Sequence, residues 1–180
     1  MGKLYIVEGP DAGGKTTTAN ELRKRLGADE VETPEDFWEK PDGIRAGPFY
    51  EDRMRKMRPL IEEALTRGDV VSARSQFSVP AIGYAFTGRK MPVMEGAAEP
   101  DVIIYVTADY DILRERLVSR VEKGTKSKLS EHERDEEKYK RLLQRYEELF
   151  EGDQRVIRVD TSDGDVEASL DRLMEQIRVR

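Results

Sequence analysis

The sequence predicts an α/β domain in which helices cover both faces of a parallel sheet. Short apolar runs typical of buried strands alternate with longer segments whose apolar residues recur at helical spacing. The 180 residues contain no internal repeat and no low-complexity tract, and this length suits one domain, which we place over residues 1–180. Because parallel strands are joined by helical crossovers, ligands are expected at the carboxyl ends of the strands.

The elements are assigned in order from apolar spacing and from the residues that begin and end helices. Those of the first half are the strand 4–7, the helix 15–26 ending at Gly27, a weak strand 30–33, the helix 51–67 and the strand 70–72. Pro59 lies inside the second helix and predicts a kink or a break near Arg58. Those of the second half are the strand 102–106, the helices 111–120 and 132–150, the strand 156–159 and a closing helix striped by Val166, Leu170, Leu173 and Ile177.

Composition excludes several classes of protein. A net charge of −6 and a pI near 5.1 exclude a chain that wraps a nucleic acid polymer through a basic field. The absence of cysteine excludes disulfides, thiolate catalysis and cysteine-ligated metals, and the single histidine, His132, excludes a multi-histidine metal site. We expect His132 at the surface near the start of a helix. The longest apolar run, 102–106, is far short of the roughly 18 residues of a membrane span, so we expect a cytoplasmic protein without a membrane partner.

A phosphate-binding loop is the strongest motif. Residues 9–16, GPDAGGKT, fit G-x-x-x-x-G-K-[ST] directly after a strand and at the start of a helix. Glycines let backbone N–H groups surround an anion, and the helix N-terminus adds positive potential. Lys15 would meet the outer phosphates, and the Thr16 hydroxyl would ligate Mg²⁺. The motif therefore predicts binding of ATP and Mg²⁺ through Asp11, Ala12, Gly13, Gly14, Lys15, Thr16 and Thr17.

Four segments resemble, in order and spacing, the thymidylate kinase family. Residues 8–17, EGPDAGGKTT, are similar to the family's E-G-x-D-x-x-G-K-T-T, and residues 49–53, FYEDR, resemble its F-x-x-x-R. Residues 65–75, LTRGDVVSARS, are similar to A-L-x-x-G-x-x-V-x-x-D-R-Y, with Ser78 at the expected distance. The segment 100–120 resembles the P-D-L strand and the arginine-bearing helix that follows it.

The resemblance implies a three-layer P-loop kinase fold with a mobile lid, and transfer of the γ-phosphoryl group of ATP to a nucleoside 5′-monophosphate. It implies that Asp11 holds the sugar hydroxyl of this small-molecule acceptor and that Arg74 holds its phosphate, with Ser78 nearby. Phe49 and Arg53 would bind the base. Arginine forks match phosphate oxygens, and a flat ring suits a flat base. A homodimer is left open.

Each of these roles has a plain structural alternative. Phe49 could belong to the core, Arg53 could be a solvated helix residue, Arg74 could form a structural ion pair, and Asp11 could cap a turn.

The chain departs from the family pattern at three places. The family's D-R-Y reads Ala73-Arg74-Ser75, its T-R-E-P is replaced by Glu32-Thr33-Pro34-Glu35, and its base-reading glutamine is Gly83. The expected Mg²⁺ shell therefore lacks an acid at Ala73, and Glu8 is the nearest candidate to replace it. Strict specificity for thymidylate does not follow from this pattern.

A basic stretch predicts a lid over residues 121–135, which would close over the phosphates and neutralise the transferred group. Arg116 and Arg120 lie four residues apart on one helical face and are predicted to be catalytic, together with Lys15 and Arg74. The other basic residues of the stretch are Lys123, Lys126, Lys128 and Arg134. Each lysine could equally be a solvated side chain. Residues 161–163, after the last strand, either border the adenine ring or cap the closing helix.

Two other functions stay open. Pro34, Trp38 and the run 73–78, ARSQFS, partly resemble deoxynucleoside kinases. A nucleoside hydroxyl needs a carboxylate to accept its proton, whereas a monophosphate is already ionised, so the alanine at position 73 is less damaging to a monophosphate kinase. Glu32 or Glu35 could still serve as the base. The second alternative is a P-loop protein that binds nucleotide without transferring phosphate.

Overall fold

The computed structural model describes residues 1–31, 46–73 and 75–180, with side chains of the second helix described from Pro48 onward. The elements are, in chain order, β1 (Leu4–Glu8), α1 (Lys15–Leu26), α2 (Ala46–Leu65), β2 (Val70–Ser72), α3 (Ser78–Thr87), β3 (Val102–Thr107), α4 (Tyr110–Glu122), α5 (Glu131–Arg134), α6 (Glu136–Phe150), β4 (Val156–Asp160) and α7 (Val166–Arg178).

The four strands form one parallel sheet in the order β2-β1-β3-β4. Ile6 of β1 is in register with Ser72 of β2 on one side and with Ile103 of β3 on the other. The second strand in the chain, β2, lies on one side of β1, and the third, β3, lies on the other side. The carboxyl end of β1 is therefore the point where the strand order reverses. Ligands of open α/β sheets bind at such a point.

Helices cover both faces of the sheet, as predicted. Helices α1 and α7 pack on the face that carries Val7 and Ile104, while α3, α4 and α6 pack on the face that carries Ile103 and Tyr105. A third apolar cluster joins α2 to Leu4, Ile6 and Val70. Each of these strand residues is almost completely excluded from solvent. The start of α1 lies beside the end of β3 in this arrangement.

Several predicted bounds are confirmed by the structure. Helix α1 has the predicted bounds and ends at Gly27, whose φ of 61° is left-handed. Of the kink or break predicted near Arg58, the break is wrong, because α2 continues through Pro59. The prediction of a weak strand over residues 30–33 is also wrong for residues 30–31, the part that the structure describes. Asp29 alone forms a bridge to Val70, residues 30–31 are not in a strand, and residues 32–33 lie outside the described part.

The predicted helix 132–150 is two helices. Asp135 has extended backbone angles (φ −90°, ψ 114°), and its carboxylate accepts a hydrogen bond from Lys138 N, so it caps α6 and separates it from α5. An aspartate favours such a cap over a helix interior. Helix α3 has no counterpart in the predicted elements. Pro80 and Gly83 obscure its pattern, although a proline is tolerated in the first turn, where no N–H partner is lost.

In the part of the chain that the structure describes, no helix is long and apolar enough to cross a membrane.

Candidate functional site

The loop between β1 and α1 lies against the backbone of β3. A Cβ atom added to Gly9, whose φ is 142°, would lie 2.0 Å from the carbonyl oxygen of Val106, and one added to Gly13 would lie 2.9 Å from the same atom. No side chain is seen to cap α1, and no acidic residue lies in its first turn. The glycines thus allow a close approach of two backbones, and the N-terminus of α1 keeps its positive potential for an anion.

The ammonium of Lys15 lies inside this loop. Its Nζ atom donates to the carbonyl oxygens of Gly9 at 2.7 Å and of Pro10 at 2.9 Å. The same atom is 3.7 Å from Oδ1 of Asp11. A single positive charge is therefore held at the centre of the loop by groups that a phosphate could replace.

Asp11 is contacted from two sides. Its side chain is 42% exposed, and its second oxygen, Oδ2, lies 3.4 Å from Nε2 of His132. Burial acts to raise the pKa of Asp11, but the hydrogen bond from His132 and the nearby charges of Lys15 and Lys126 outweigh it and lower this pKa below its ordinary value. Asp11 is therefore ionised at neutral pH. The expectation that His132 is a surface residue is wrong, since it is only 8% exposed.

Glu8 forms a buried network next to the loop. Its carboxylate is fully buried and accepts hydrogen bonds from the hydroxyls of Ser75, Ser78 (2.8 Å) and Tyr146 (3.3 Å) and from the Gly9 amide (3.3 Å). Burial raises the pKa of Glu8, although its hydrogen bonds and the charge of Lys15 oppose that shift. To ligate Mg²⁺, Glu8 would have to give up some of these bonds.

Two tyrosines of α6 donate hydrogen bonds to the loop and to Glu8 beside it. The hydroxyl of Tyr139 donates to the backbone oxygen of Asp11 at 2.6 Å, and that of Tyr146 reaches Glu8. Burial raises the pKa of both tyrosines, so both keep the proton they donate. The sequence pattern identifies these residues only as part of an apolar stripe. Their spacing of seven places them on one helix face, but nothing in the sequence shows that their hydroxyls reach the loop.

Two cavities flank the loop. The smaller, of about 240 Å³, has Asp11, Lys15, Ala73, Ser78 and Tyr146 among its lining residues. The larger, of about 500 Å³, opens on the other side of the loop. Its walls include Gly13, Thr17, Glu115, Arg116, Lys123, Thr161 and Leu170. Arg120 lines both. The structure therefore places two adjoining compartments at the point where the loop ends and α1 begins.

The predicted cations of α4 and the lid occupy different places. The guanidinium of Arg116 donates to the hydroxyl and the backbone oxygen of Thr161, at 2.9 and 2.6 Å. Thr161 thus borders the larger cavity, while Asp165 caps α7. Lys126 is paired with the fully buried carboxylate of Glu133. Arg120 has no ion-pair partner among the residues described, and its position between the cavities suits a charge that meets phosphate.

Phe49 and Arg53 lie one turn apart on α2. Phe49 is 5% exposed, and the guanidinium carbon of Arg53 lies 4.8 Å from the centre of its ring. Tyr50 contacts the same ring edge-on at 5.2 Å. Arg74 lies outside the described residues, as do Glu32, Pro34, Glu35 and Trp38. The roles assigned to Phe49, Arg53 and Arg74 therefore stay predictions.

Comparison with known proteins agrees with this architecture. The sequence model for "Thymidylate kinase" matches residues 42–172, most of the chain. No curated protein matches the sequence. Among solved structures, a thymidylate kinase from Candida albicans aligns with a TM-score of 0.73 at 15% identity over 99% of this chain and 92% of its own. The thymidylate kinase from Ehrlichia chaffeensis gives 0.66 at 17% identity, covering 99% and 98%. Deoxyadenosine kinase from M. mycoides gives 0.61 at 18% identity, covering 98% and 100%.

Proposed function

The chain belongs to the thymidylate kinase family and is a nucleotide kinase, and from that premise we propose that it transfers the γ-phosphoryl group of ATP to a nucleoside 5′-monophosphate. The products would be ADP and the nucleoside diphosphate. One observation carries the proposal: the Lys15 ammonium and the uncapped start of α1 lie beside a cavity of about 240 Å³ that also contains an ionised carboxylate, Asp11. Such a cavity suits a ligand with an anionic end and a hydroxyl-bearing end.

The donor side is the loop and the larger cavity. Backbone N–H groups of residues 11–16 and the Lys15 ammonium would hold the phosphates. Thr161 would border the base together with Arg116, which is hydrogen-bonded to Thr161 and so would not take the role at the transferred group that the sequence predicts for it. Mg²⁺ usually takes one or two ligands from the protein and the rest from phosphates and water. Thr16 fits this role. When bound, Mg²⁺ would neutralise charge on the transferred group.

The acceptor side explains why no general base is needed. A nucleoside monophosphate is ionised near neutral pH, with a second pKa of about 6, so it requires charge neutralisation and alignment only. The cavity offers Ala73 where the related pattern has an acid. The Glu8 carboxylate is occupied by hydroxyls. We assign Asp11 to a sugar hydroxyl, Arg74 to the acceptor phosphate with Ser78 beside it, and Phe49 and Arg53 to the base.

The cations would act at the transferred group. Arg120 lines both cavities, which supports a role for its charge where the donor and acceptor phosphates would meet. We propose that the lid, residues 121–135, closes over this place and excludes water. Electrostatic stabilisation by fixed positive groups is the main catalytic effect available here.

The test is a coupled ADP-release assay with MgATP across a panel of nucleosides and their 5′-monophosphates. Turnover with monophosphates alone supports the proposal. Turnover with free nucleosides alone would show a nucleoside kinase instead, and tight ATP binding without turnover would show a non-catalytic protein. Lys15→Ala should abolish activity and weaken MgATP binding at least tenfold, because it removes a charge-assisted contact worth about 1.5–3 kcal/mol. The matched control is Lys24→Ala, which removes an exposed lysine of the same helix paired with Glu21.

A further inference from the structure

His132 joins the lid to the phosphate loop. It lies on α5, within the segment 121–135, and its side chain is 10% exposed. Its Nε2 atom faces Oδ2 of Asp11 at 3.4 Å, and its ring packs edge-on against Phe86 of α3 at 5.6 Å. The Oγ atom of Ser130 lies 3.3 Å from Nδ1. The ring is therefore fixed on three sides, with one nitrogen aimed at the loop.

Asp11 needs a fixed orientation if it is to bind a ligand. An ionised carboxylate only accepts hydrogen bonds, so its partner in the cavity must be a donor such as a hydroxyl. Without a neighbour, the partly exposed carboxylate could rotate toward Lys15, whose Nζ is 3.7 Å from Oδ1. The His132 contact holds the other oxygen and opposes that rotation. The titratable groups that act on Asp11 are Lys15, Lys126 and His132.

The fold of α5 does not depend on the contact with Asp11. Ser130 and Glu133 form a reciprocal cap at the start of α5, Lys126 pairs with Glu133, and Arg114 donates to the Glu133 backbone oxygen. These bonds anchor the helix by themselves. The reach of His132 to Asp11 is thus an additional contact between lid and loop, made at the ligand-facing carboxylate.

We propose that His132 is a positioning residue, which orients Asp11 toward a sugar hydroxyl of the acceptor. This inference rests on the proposed function, since it needs Asp11 to face the acceptor. It adds a residue of α5 to the acceptor site.

The experiment compares thymidine 5′-monophosphate with its 3′-deoxy analogue, using wild type, His132→Ala and His132→Gln. Binding is measured by calorimetry, and KM and kcat by ADP release. For His132→Ala we expect acceptor binding to weaken and the KM for the acceptor to rise, each about tenfold. The kcat and the KM for ATP should stay nearly unchanged. His132→Gln keeps an N–H donor and should recover most of the loss. For the 3′-deoxy acceptor the three proteins should be alike.

The control is Glu136→Gln at the exposed start of α6, where the carboxylate forms an ion pair with Lys140. It should behave as wild type. If His132→Ala does not fold, His132→Phe replaces it, since a phenyl ring keeps the packing on Phe86 and lacks the N–H. Equal losses for both acceptors, no loss for either, or no recovery with glutamine would overturn the inference. If the wild type binds the acceptor without turnover, and His132→Ala still weakens binding only of the acceptor that bears the 3′-hydroxyl, the proposed function is overturned while the role of His132 is supported.

Discussion

Two glycines with positive φ provide a measure of how closely the phosphate loop lies against β3. Gly9→Ala would place Cβ 2.0 Å from the Val106 oxygen, whereas Gly27→Ala would meet nothing within 4 Å. Both substitutions impose an unfavourable φ, of 142° and 61° respectively. For Gly27 this cost alone is about 1–2 kcal/mol. For Gly9 a strained φ of about 1–3 kcal/mol adds to an overlap of two backbones costing about 1–3 kcal/mol or more.

The overlap at Gly9 cannot be relieved by a side-chain rotation, because Val106 contributes its backbone and lies in a central strand. We therefore expect Gly9→Ala to lower the free energy of unfolding by about 2–6 kcal/mol and Gly27→Ala by about 1–2 kcal/mol. In a domain of this size 1 kcal/mol lowers the midpoint by about 2–4 °C. Scanning calorimetry gives both midpoints, and titration with MgATP should show binding lost only in Gly9→Ala. Equal midpoints and equal binding would refute the close approach of loop and strand.

Two further predictions concern the groups beneath the loop. Tyr139→Phe removes the donor to the partly buried Asp11 carbonyl and should lower the free energy of unfolding by about 0.5–1.5 kcal/mol. Urea denaturation measures this change, and an unchanged midpoint would contradict it. The second prediction concerns Glu8, whose pKa is raised by burial. Between the ordinary and the raised pKa, the folded state retains a proton that the unfolded state has lost. The free energy of unfolding should therefore fall as the pH rises through that window. Glu8→Gln should lack this fall, and urea denaturation at several pH values would show parallel curves for both proteins if the reasoning is wrong.

Much of the fold could be predicted because its strongest signals are local. Helix α1 follows from a glycine-rich loop before it and Gly27 after it, and the buried strands follow from continuous apolar runs. Helix α3 is missed because its proline and glycine are local signals against a helix, while the packing of Ala81 and Ala85 against α6 comes from tertiary contacts. The separation of α5 from α6 depends on one capping aspartate inside a continuous helical pattern.

The site is less predictable from sequence than the fold, since its side chains come from distant segments. The motif identifies Lys15 and Asp11, but His132 is 121 residues from Asp11 and reads alone as a surface histidine. Tyr139 carries a core pattern and also a hydroxyl, and only the position of α6 shows that this hydroxyl supports the loop. A sequence shows which groups are present; the contacts decide which of them face the ligand.

The basic residues of α4 and the lid also show that a sequence does not reveal which charged groups are already paired. From sequence, Arg116 and Arg120 are both predicted to neutralise the transferred group, and nothing in the pattern separates one from the other. In the structure Lys126 is balanced by Glu133, and Arg116 is bonded to Thr161. Arg120 lies between the two cavities, with no ion-pair partner among the described residues. Because a cation already paired in a buried site must lose that partner before it serves a phosphate, the catalytic charge from this region should come first from Arg120, with Lys126 holding the lid in place.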